Sequence, residues 1–293
     1  MTWLQAVLLG AVQGLTEFLP VSSSGHLALG QHVLRRLGSP LPRPESDEML
    51  LFDLCTHLGT LVAIAVVFLP VFRRYAHSLA GELPRLRLLA ADKPPAALYV
   101  TLLAVAACVP TAVIGLAFED RMKAAFGQPA MIGVALLITG CLLWASELRP
   151  RPRRGWRRFG VGAALLVGVA QGLAITPGIS RSGATVSVAL LCGLRRRWAG
   201  QFSFLIFIPP VLAGSVKQAA EVFNQPRASD FGLGPTLVGT LVAALVGYAA
   251  LKVFLAVIQR AKLRYFGVYC WLTGLAAIAA AWTGLLAVGT AGQ

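Results

Sequence analysis

Acidic residues are scarce in this chain. Only 12 Asp and Glu stand against 26 Lys and Arg in 293 residues, and charged residues of both signs make up 13%. An ordinary soluble domain carries about 25%, so a water-facing globular surface is excluded. Cysteine is equally sparse. Cys55, Cys108, Cys141, Cys192 and Cys270 lie singly in apolar segments with no Cys-x-x-Cys, which argues against a metal ribbon or a disulfide framework. The first residues, Met1 to Gln5, have no basic n-region and no small-residue cleavage site, so a cleaved signal peptide is not expected.

What is present in excess is apolar sequence. The chain is 57% hydrophobic with a mean hydropathy of +0.72. Segments 51–70, 97–118, 130–147, 203–222, 236–258 and 266–288 are each long and apolar enough to span a bilayer. The expected fold is therefore an all-α polytopic membrane protein. The formal charge of +14 reflects basic connecting loops and implies no nucleic-acid partner.

Two further regions are apolar but interrupted. Residues 3–19 predict one short helix, broken at Pro20 and the serines, and residues 24–37 a second. Residues 160–175 predict a third, broken at Pro177-Gly178, before a last one at 184–194. Eleven helical residues reach about 16 Å, half of a ~30 Å hydrocarbon core. Both regions, 3–37 and 160–195, read as re-entrant hairpins. The plan is an inverted duplication of one hairpin plus three spans, residues 1–148 and 149–293, within a single membrane domain.

Basic residues set the orientation. Loops 71–96, 148–159, 195–202 and 259–265 carry seventeen Lys and Arg, and the opposite side carries six. The first side is expected to be cytoplasmic and both termini outside.

The hairpin tips carry the chemistry. Gln13-Gly-Leu-Thr-Glu17-Phe-Leu-Pro-Val-Ser22-Ser23-Ser24-Gly25-His26 leads from Gln to Gly in twelve residues, as does Gln171 to Gly183 through Pro177-Gly-Ile-Ser180-Arg181-Ser182-Gly183-Ala-Thr185. Helix starts beside Ser and Gly form anion sites, and Arg181 adds a planar donor fork for phosphate oxygens. Glu17 is the one acid deep in an apolar segment. A hydrogen bond from Glu17 would orient His26 as a general base for an adjacent serine, and a carboxylate near phosphates could instead hold Mg²⁺ or Ca²⁺. Ser22, Ser23 and Ser180 divide evenly between function and helix capping, whereas Ser24, Ser182 and Ser187 are assigned to capping or carbonyl bonding. Asp53 and His57 either line the pocket or sit at the interface. Lys217 and Lys252 are expected to snorkel or pair, and His32 and His77 to be solvated.

These two stretches resemble the signature motifs of the undecaprenyl-pyrophosphate phosphatase family associated with bacitracin resistance, in motif separation, span count and length. The resemblance implies removal of the terminal phosphate from a polyprenyl pyrophosphate with the help of a divalent cation. It implies Glu17 as the essential carboxylate, Ser23 and His26 as nucleophile and base, and Arg181, Ser180 and Thr185 as pyrophosphate ligands. Gln13, Ser22, Gly25, Ser182 and Gly183 complete the expected substrate contacts, with Glu17 the expected metal ligand. Gln13 stands where many members carry Glu, which removes one negative ligand. The expected partners are the lipid substrate and the bilayer, with homodimerisation open. A transporter or flippase with the same repeat is the alternative, because such folds bind anions without reacting.

Overall fold

The computed structural model describes residues 1–84, 95–148, 155–223, 232–258 and 262–286, where helices joined by short turns and loops make up the architecture. Much of the basic loops 71–96, 148–159 and 259–265 therefore lies outside the described residues. The first short helix, α1, runs Trp3–Glu17 and the second, α2, Ser23–Arg36. Three long helices follow: α3 (Asp47–Glu82), α4 (Ala96–Ala117) and, after the short α5 (Glu119–Ala125), α6 (Pro129–Leu148). A single 3-10 turn at Trp156–Arg158 precedes α7 (Val161–Leu173) and α8 (Arg181–Leu191). The last three are α9 (Arg196–Phe223), α10 (Leu233–Ile258) and α11 (Leu263–Trp282).

Among the described residues, six helices are long and apolar enough to cross a membrane: α3, α4, α6, α9, α10 and α11. They fall on the six spans expected from composition. Helix α3 runs on to Glu82, however, and α9 starts at Arg196, so residues 71–82 and 196–202, expected in basic loops, are helical. The breaks also fall close to their expected places, with shifts of up to three residues. Helix α7 ends at Leu173, two residues early. Helix α1 stops at Glu17, two residues early, and α8 starts at Arg181, three residues early. Pro20, which lacks an N–H and disfavours helix at the residue before it, accounts for the end of α1. Ser180 Oγ accepts from the Gly183 N–H at 3.0 Å and so opens α8 itself. The short α5 was not anticipated; its amphipathic seven residues are too few to register against the flanking spans.

Each long helix keeps one apolar face outward, as with Leu102, Val105, Val109, Val113 and Leu116 of α4. Lipid gives no hydrophobic reward for burying such faces, so close packing has to come from small residues. The interfaces of α1 with α10 and of α7 with α4 show this. A Cβ on Gly14 would lie 2.7 Å from the Gly247 nitrogen and 2.8 Å from the Ala243 oxygen. One on Gly168 would meet Pro110 Cγ at 2.7 Å and the Ala107 carbonyl closer still. The interior is filled where these helices converge, by Leu103, Ala107, Val167, Leu190, Phe202 and Ile206 on one side and Phe18, Ile64, Phe207 and Leu251 on another.

Polar ties fix the helix ends. Glu82 Oε2 accepts from the Ala97 and Leu98 N–H groups at 2.7 and 3.1 Å, capping α4 from the end of α3. Glu147 Oε1 accepts from the Leu263 N–H at 2.9 Å and pairs with Arg196, joining α6, α11 and α9. Substituting leucine at Gly14 or Gly168 is expected to lower stability by about 1–3 kcal/mol or more through overpacking. Gly162→Ala, where a Cβ meets nothing within 4 Å, is the control and should leave the unfolding temperature in detergent unchanged.

Candidate active site

The two helix breaks meet back to back. Ser22 precedes α2 with φ 69°, a left-handed conformation unusual for a residue with a side chain. Its hydroxyl accepts from the Gly25 N–H of its own helix at 3.3 Å and from the Gly178 N–H of the other break at 3.1 Å. Gly178 itself has φ +97°, and a Cβ on Gly25 would come within 2.9 Å of its Cα. Glycine is required at both positions, by conformation at one and by contact at the other. Thr139 of α6 clamps the second break, donating to the Gly178 carbonyl at 3.0 Å and accepting from the Ser180 N–H at 2.9 Å. With Ser22 and Ser180 capping the third residues of their helices, the N–H groups of Ser23, Ser24, Arg181 and Ser182 have no intrahelical acceptor. Two positive helix starts thus share one small volume.

Glu17, at the last turn of α1, is the hub. It is 4% exposed. Its Oε1 pairs with the Arg181 guanidinium. Its Oε2 accepts from Ser23 Oγ at 2.5 Å and from Gln13 Nε2 at 2.8 Å. Arg181 also sits over the Phe207 ring, with Cζ 3.1 Å from the centroid. The space beside the pair, lined by Glu17, Arg181, Ser182, Ser203, Phe204 and Phe207, is about 10 Å³, room for about one water.

The histidines are arranged otherwise than expected. His26 makes no bond to Glu17. Its Nδ1 donates to the Ser22 carbonyl at 2.7 Å, which leaves Nε2 to accept from the Tyr269 hydroxyl at 2.8 Å, and the two rings stack. The histidine that faces Glu17 is His57 of α3, with Nε2 3.4 Å from Oε2. His57 Nδ1 donates to the Asp53 carbonyl at 2.7 Å, one turn back on its helix. Asp53 is buried and its Oδ1 accepts from Gln31 Nε2 at 2.8 Å. His32 is also buried, donating from Nε2 to the Phe126 carbonyl at 3.0 Å, because α2 packs on α6 instead of running along the surface. His77 is exposed.

The remaining motif residues surround this hub. Thr185 donates to the Arg181 carbonyl at 2.8 Å and accepts from Ser203 Oγ at 2.6 Å, tying α8 to α9. Ser182 donates to the Leu19 carbonyl at 3.3 Å, as its capping assignment implied. Ser187 does not follow that assignment: its buried hydroxyl has no hydrogen-bond partner among the described residues. Lys217 pairs with Glu119 and Lys252 sits 4.4 Å over the Tyr248 ring, both away from the hub. Phe207, Ser203, Tyr269 and Thr139 were not singled out from the sequence, whereas His57, offered there with Asp53 as either pocket lining or interface, takes the pocket position. The other four lie in spans with no local polar motif to mark them.

A cation would find few ligands. No three His, Cys, Asp or Glu residues converge among the described residues. One buried oxygen is nevertheless left over, Gln13 Oε1, which has no hydrogen-bond partner beside the Glu17 carboxylate. This donor set suits a hard cation that takes most of its ligands from phosphate and water.

Comparison with known proteins agrees with the motifs. The profile of the family "Bacitracin resistance protein BacA" matches residues 6–276. An undecaprenyl-diphosphatase of Halorhodospira halophila is 42% identical over 282 residues, covering 96% of this chain and 98% of the relative. Undecaprenyl-diphosphatases of Rubrobacter xylanophilus and Alkalilimnicola ehrlichii are 42% and 40% identical, covering 95% and 92% of this chain and 97% and 93% of their own lengths. With matches that run nearly end to end and include both helix breaks, the chain belongs to the bacitracin resistance protein BacA family.

Proposed function

We propose that this chain is an undecaprenyl-diphosphatase, hydrolysing the phosphoanhydride of undecaprenyl pyrophosphate to undecaprenyl phosphate and inorganic phosphate and so recycling the carrier lipid of cell-wall synthesis. One observation carries the reading. A serine hydroxyl and an arginine guanidinium from different helix starts converge on the two oxygens of one buried carboxylate. An anion-binding site needs the arginine and the helix starts but has no use for a hydroxyl held against a carboxylate, which favours the hydrolase over the transporter alternative.

Phosphoryl transfer needs charge neutralisation and an aligned nucleophile. The arriving diphosphate draws Arg181 from Glu17 Oε1 onto its oxygens, and the N–H groups of Ser23, Ser24, Arg181 and Ser182 supply further donors. Ser23 Oγ attacks the terminal phosphorus and passes its proton to Glu17 Oε2, already 2.5 Å away. The bond to the bridging oxygen breaks and undecaprenyl phosphate leaves. Water then cleaves the phosphoserine and Ser23 recovers its proton. In the alternative route water attacks directly, and His26 Nε2, which carries a lone pair toward Tyr269, exchanges that hydroxyl for the water and takes its proton. Gln13 and Thr185 position Glu17 and Arg181, and Ser22, Ser180, Gly25 and Gly183 shape the cradle. Mg²⁺ or Ca²⁺ would be held by Glu17 with Gln13 Oε1 beside it. Its contribution, when bound, is to neutralise charge on the phosphate oxygens.

The architecture behind this site is read as an inverted duplication with two re-entrant hairpins. Its support is an offset of 158 residues that relates Gly10 to Gly168, Gln13 to Gln171, Gly14 to Gly172, Ser22 to Ser180 and Gly25 to Gly183. The packing agrees: α1 lies on α10, the second span of the other half, as α7 lies on α4, the second span of the first. The surplus of basic residues on one side supports a site opening outward with both termini outside.

Purified protein with undecaprenyl pyrophosphate and Mg²⁺ should release phosphate, and no release would reject the phosphatase. Arg181→Ala and Glu17→Ala should each insert normally and lose activity by about 100-fold or more, the scale of a lost charge-stabilising donor. Arg181→Lys should fail nearly as badly, since an ammonium cannot replace the planar fork. Ser23→Ala decides the route: loss of turnover together with loss of a trappable phosphoserine supports the serine, and an active variant leaves direct water attack.

A further inference from the structure

A second cavity adjoins the reaction site and the mechanism above does not use it. It measures about 370 Å³, within the range of ligand pockets (~300–1,000 Å³), whereas the space at Glu17 and Arg181 admits about one water. The two share Ser182, Ser203 and Phe204, so they are neighbouring rooms with one wall in common. The larger is built from the helix ends nearest the basic loops: Leu190 in the last turn of α8, Arg196 and Arg197 in the first turn of α9, Leu255 in the last turn of α10 and Leu263 opening α11. Its walls are mainly apolar and its far end is cationic. Arg196 is engaged by Glu147. Arg197 is exposed and stands at the positive N-terminus of a 28-residue helix.

An apolar chamber with a cation at its mouth fits an amphiphile with an anionic head. The reaction substrate cannot use it head-first from Arg181, because its tail would then run into the arginines. Ser203, which both spaces share, and Arg197 are six residues apart on α9, about 9 Å along the helix, and Arg181 lines only the small space and Arg197 only the large one. We propose that this cavity is a second, product-holding site for an isoprenyl monophosphate, with the phosphomonoester on Arg197 and the first isoprene units against Val186, Leu190 and Phe68. The assignment rests on the diphosphatase reading. Continuity with the reaction pocket selects the product over bulk phospholipid, and hydrolysis leaves a headgroup with one phosphate, matched to the one fork of Arg197. That fork sits 5.8 Å from the neighbouring Trp198 ring and meets no carboxylate among the described residues.

The test uses the full-length protein in detergent and farnesyl monophosphate as a soluble probe, followed by titration calorimetry. Arg181→Ala, which removes the reaction-site cation, should keep binding within about threefold of the parent, while Arg197→Gln should weaken it about tenfold, the scale of one charge-assisted pair. Gly200→Leu is the independent variant. Gly200 lines the cavity and a Cβ there meets nothing within 4 Å, so the leucine enters the chamber without disturbing α9 and should also weaken binding with an unchanged unfolding temperature. Binding lost in Arg181→Ala and kept in Arg197→Gln would overturn the second site, as would displacement of the probe by an equal concentration of phosphatidylglycerol. Absence of phosphate release from undecaprenyl pyrophosphate by the parent protein would instead reject the diphosphatase reading, and the binding comparison between Arg181→Ala and Arg197→Gln would still decide the cavity.

Discussion

The ion pair between Glu17 and Arg181 is the constraint on which the other contacts depend. Both groups lie where water is scarce, and a buried charge is tolerated only when paired and hydrogen-bonded. Glu17 satisfies this with Arg181, Ser23 and Gln13, and Arg181 with Glu17 and the face of Phe207. The two residues are 164 positions apart, so the pair can form only if the end of α1 meets the start of α8. Removing either partner from such a pair costs about 3–5 kcal/mol in general. A bound phosphate can replace Glu17 as the partner of Arg181 without leaving a charge exposed to lipid. The interaction that holds the apo site together is therefore also the one the substrate exchanges.

That meeting of helix ends is set by backbone proximity. Gly25 against Gly178, Gly14 against Gly247 and Gly168 against Ala107 each leave no room for a Cβ. The polar atoms between the breaks then bond to backbone: Ser22 to the Gly178 N–H, Thr139 to Gly178 and Ser180. An irregular backbone at membrane depth needs such partners, because lipid offers none. Glycine brings the chains together, and hydroxyl groups satisfy what the breaks leave unpaired. Serine at 22 and 180 thus has a structural duty that any role in substrate binding must share.

How far the sequence could be read follows from the same distinction between local and distant contacts. The spans and the two breaks are local, set by apolar run length and by proline. The breaks were legible to within three residues, while α3 and α9 run on well past the apolar spans 51–70 and 203–222. The actual caps, Ser22 and Ser180, were left divided between capping and function. Glu17 and Arg181 were legible because charge in an apolar segment is costly. Their surroundings were not. Tyr269 reaches His26 across 243 residues and Phe207 meets Arg181 only because α9 crosses behind α8. The expected bond from Glu17 to His26 failed for a geometric reason. Helix α1 ends at Glu17 and the turn at residues 18–22 redirects the chain, so the first turn of α2 points Ser23 at the carboxylate and carries His26 round toward α11. His57, one turn beyond Asp53 on the neighbouring α3, takes the place that His26 was expected to hold.

The duplication we propose makes the division of chemistry intelligible. At the 158-residue offset Glu17 corresponds to Ile175, Ser23 to Arg181 and His26 to Ala184, while Gln13, Gly14, Ser22, Ser24 and Gly25 recur as Gln171, Gly172, Ser180, Ser182 and Gly183. The positions that recur are those that pack or cap. The positions that differ are the ones that carry charge or nucleophilicity. Two identical copies would have set either two carboxylates or two guanidinium groups side by side at low dielectric, where like charges repel strongly. One acid and one base at the paired tips avoid that penalty and leave a single hydroxyl, Ser23, facing the carboxylate. Symmetry in the backbone requires asymmetry in the charged side chains, and that asymmetry gives the pocket a direction for phosphoryl transfer.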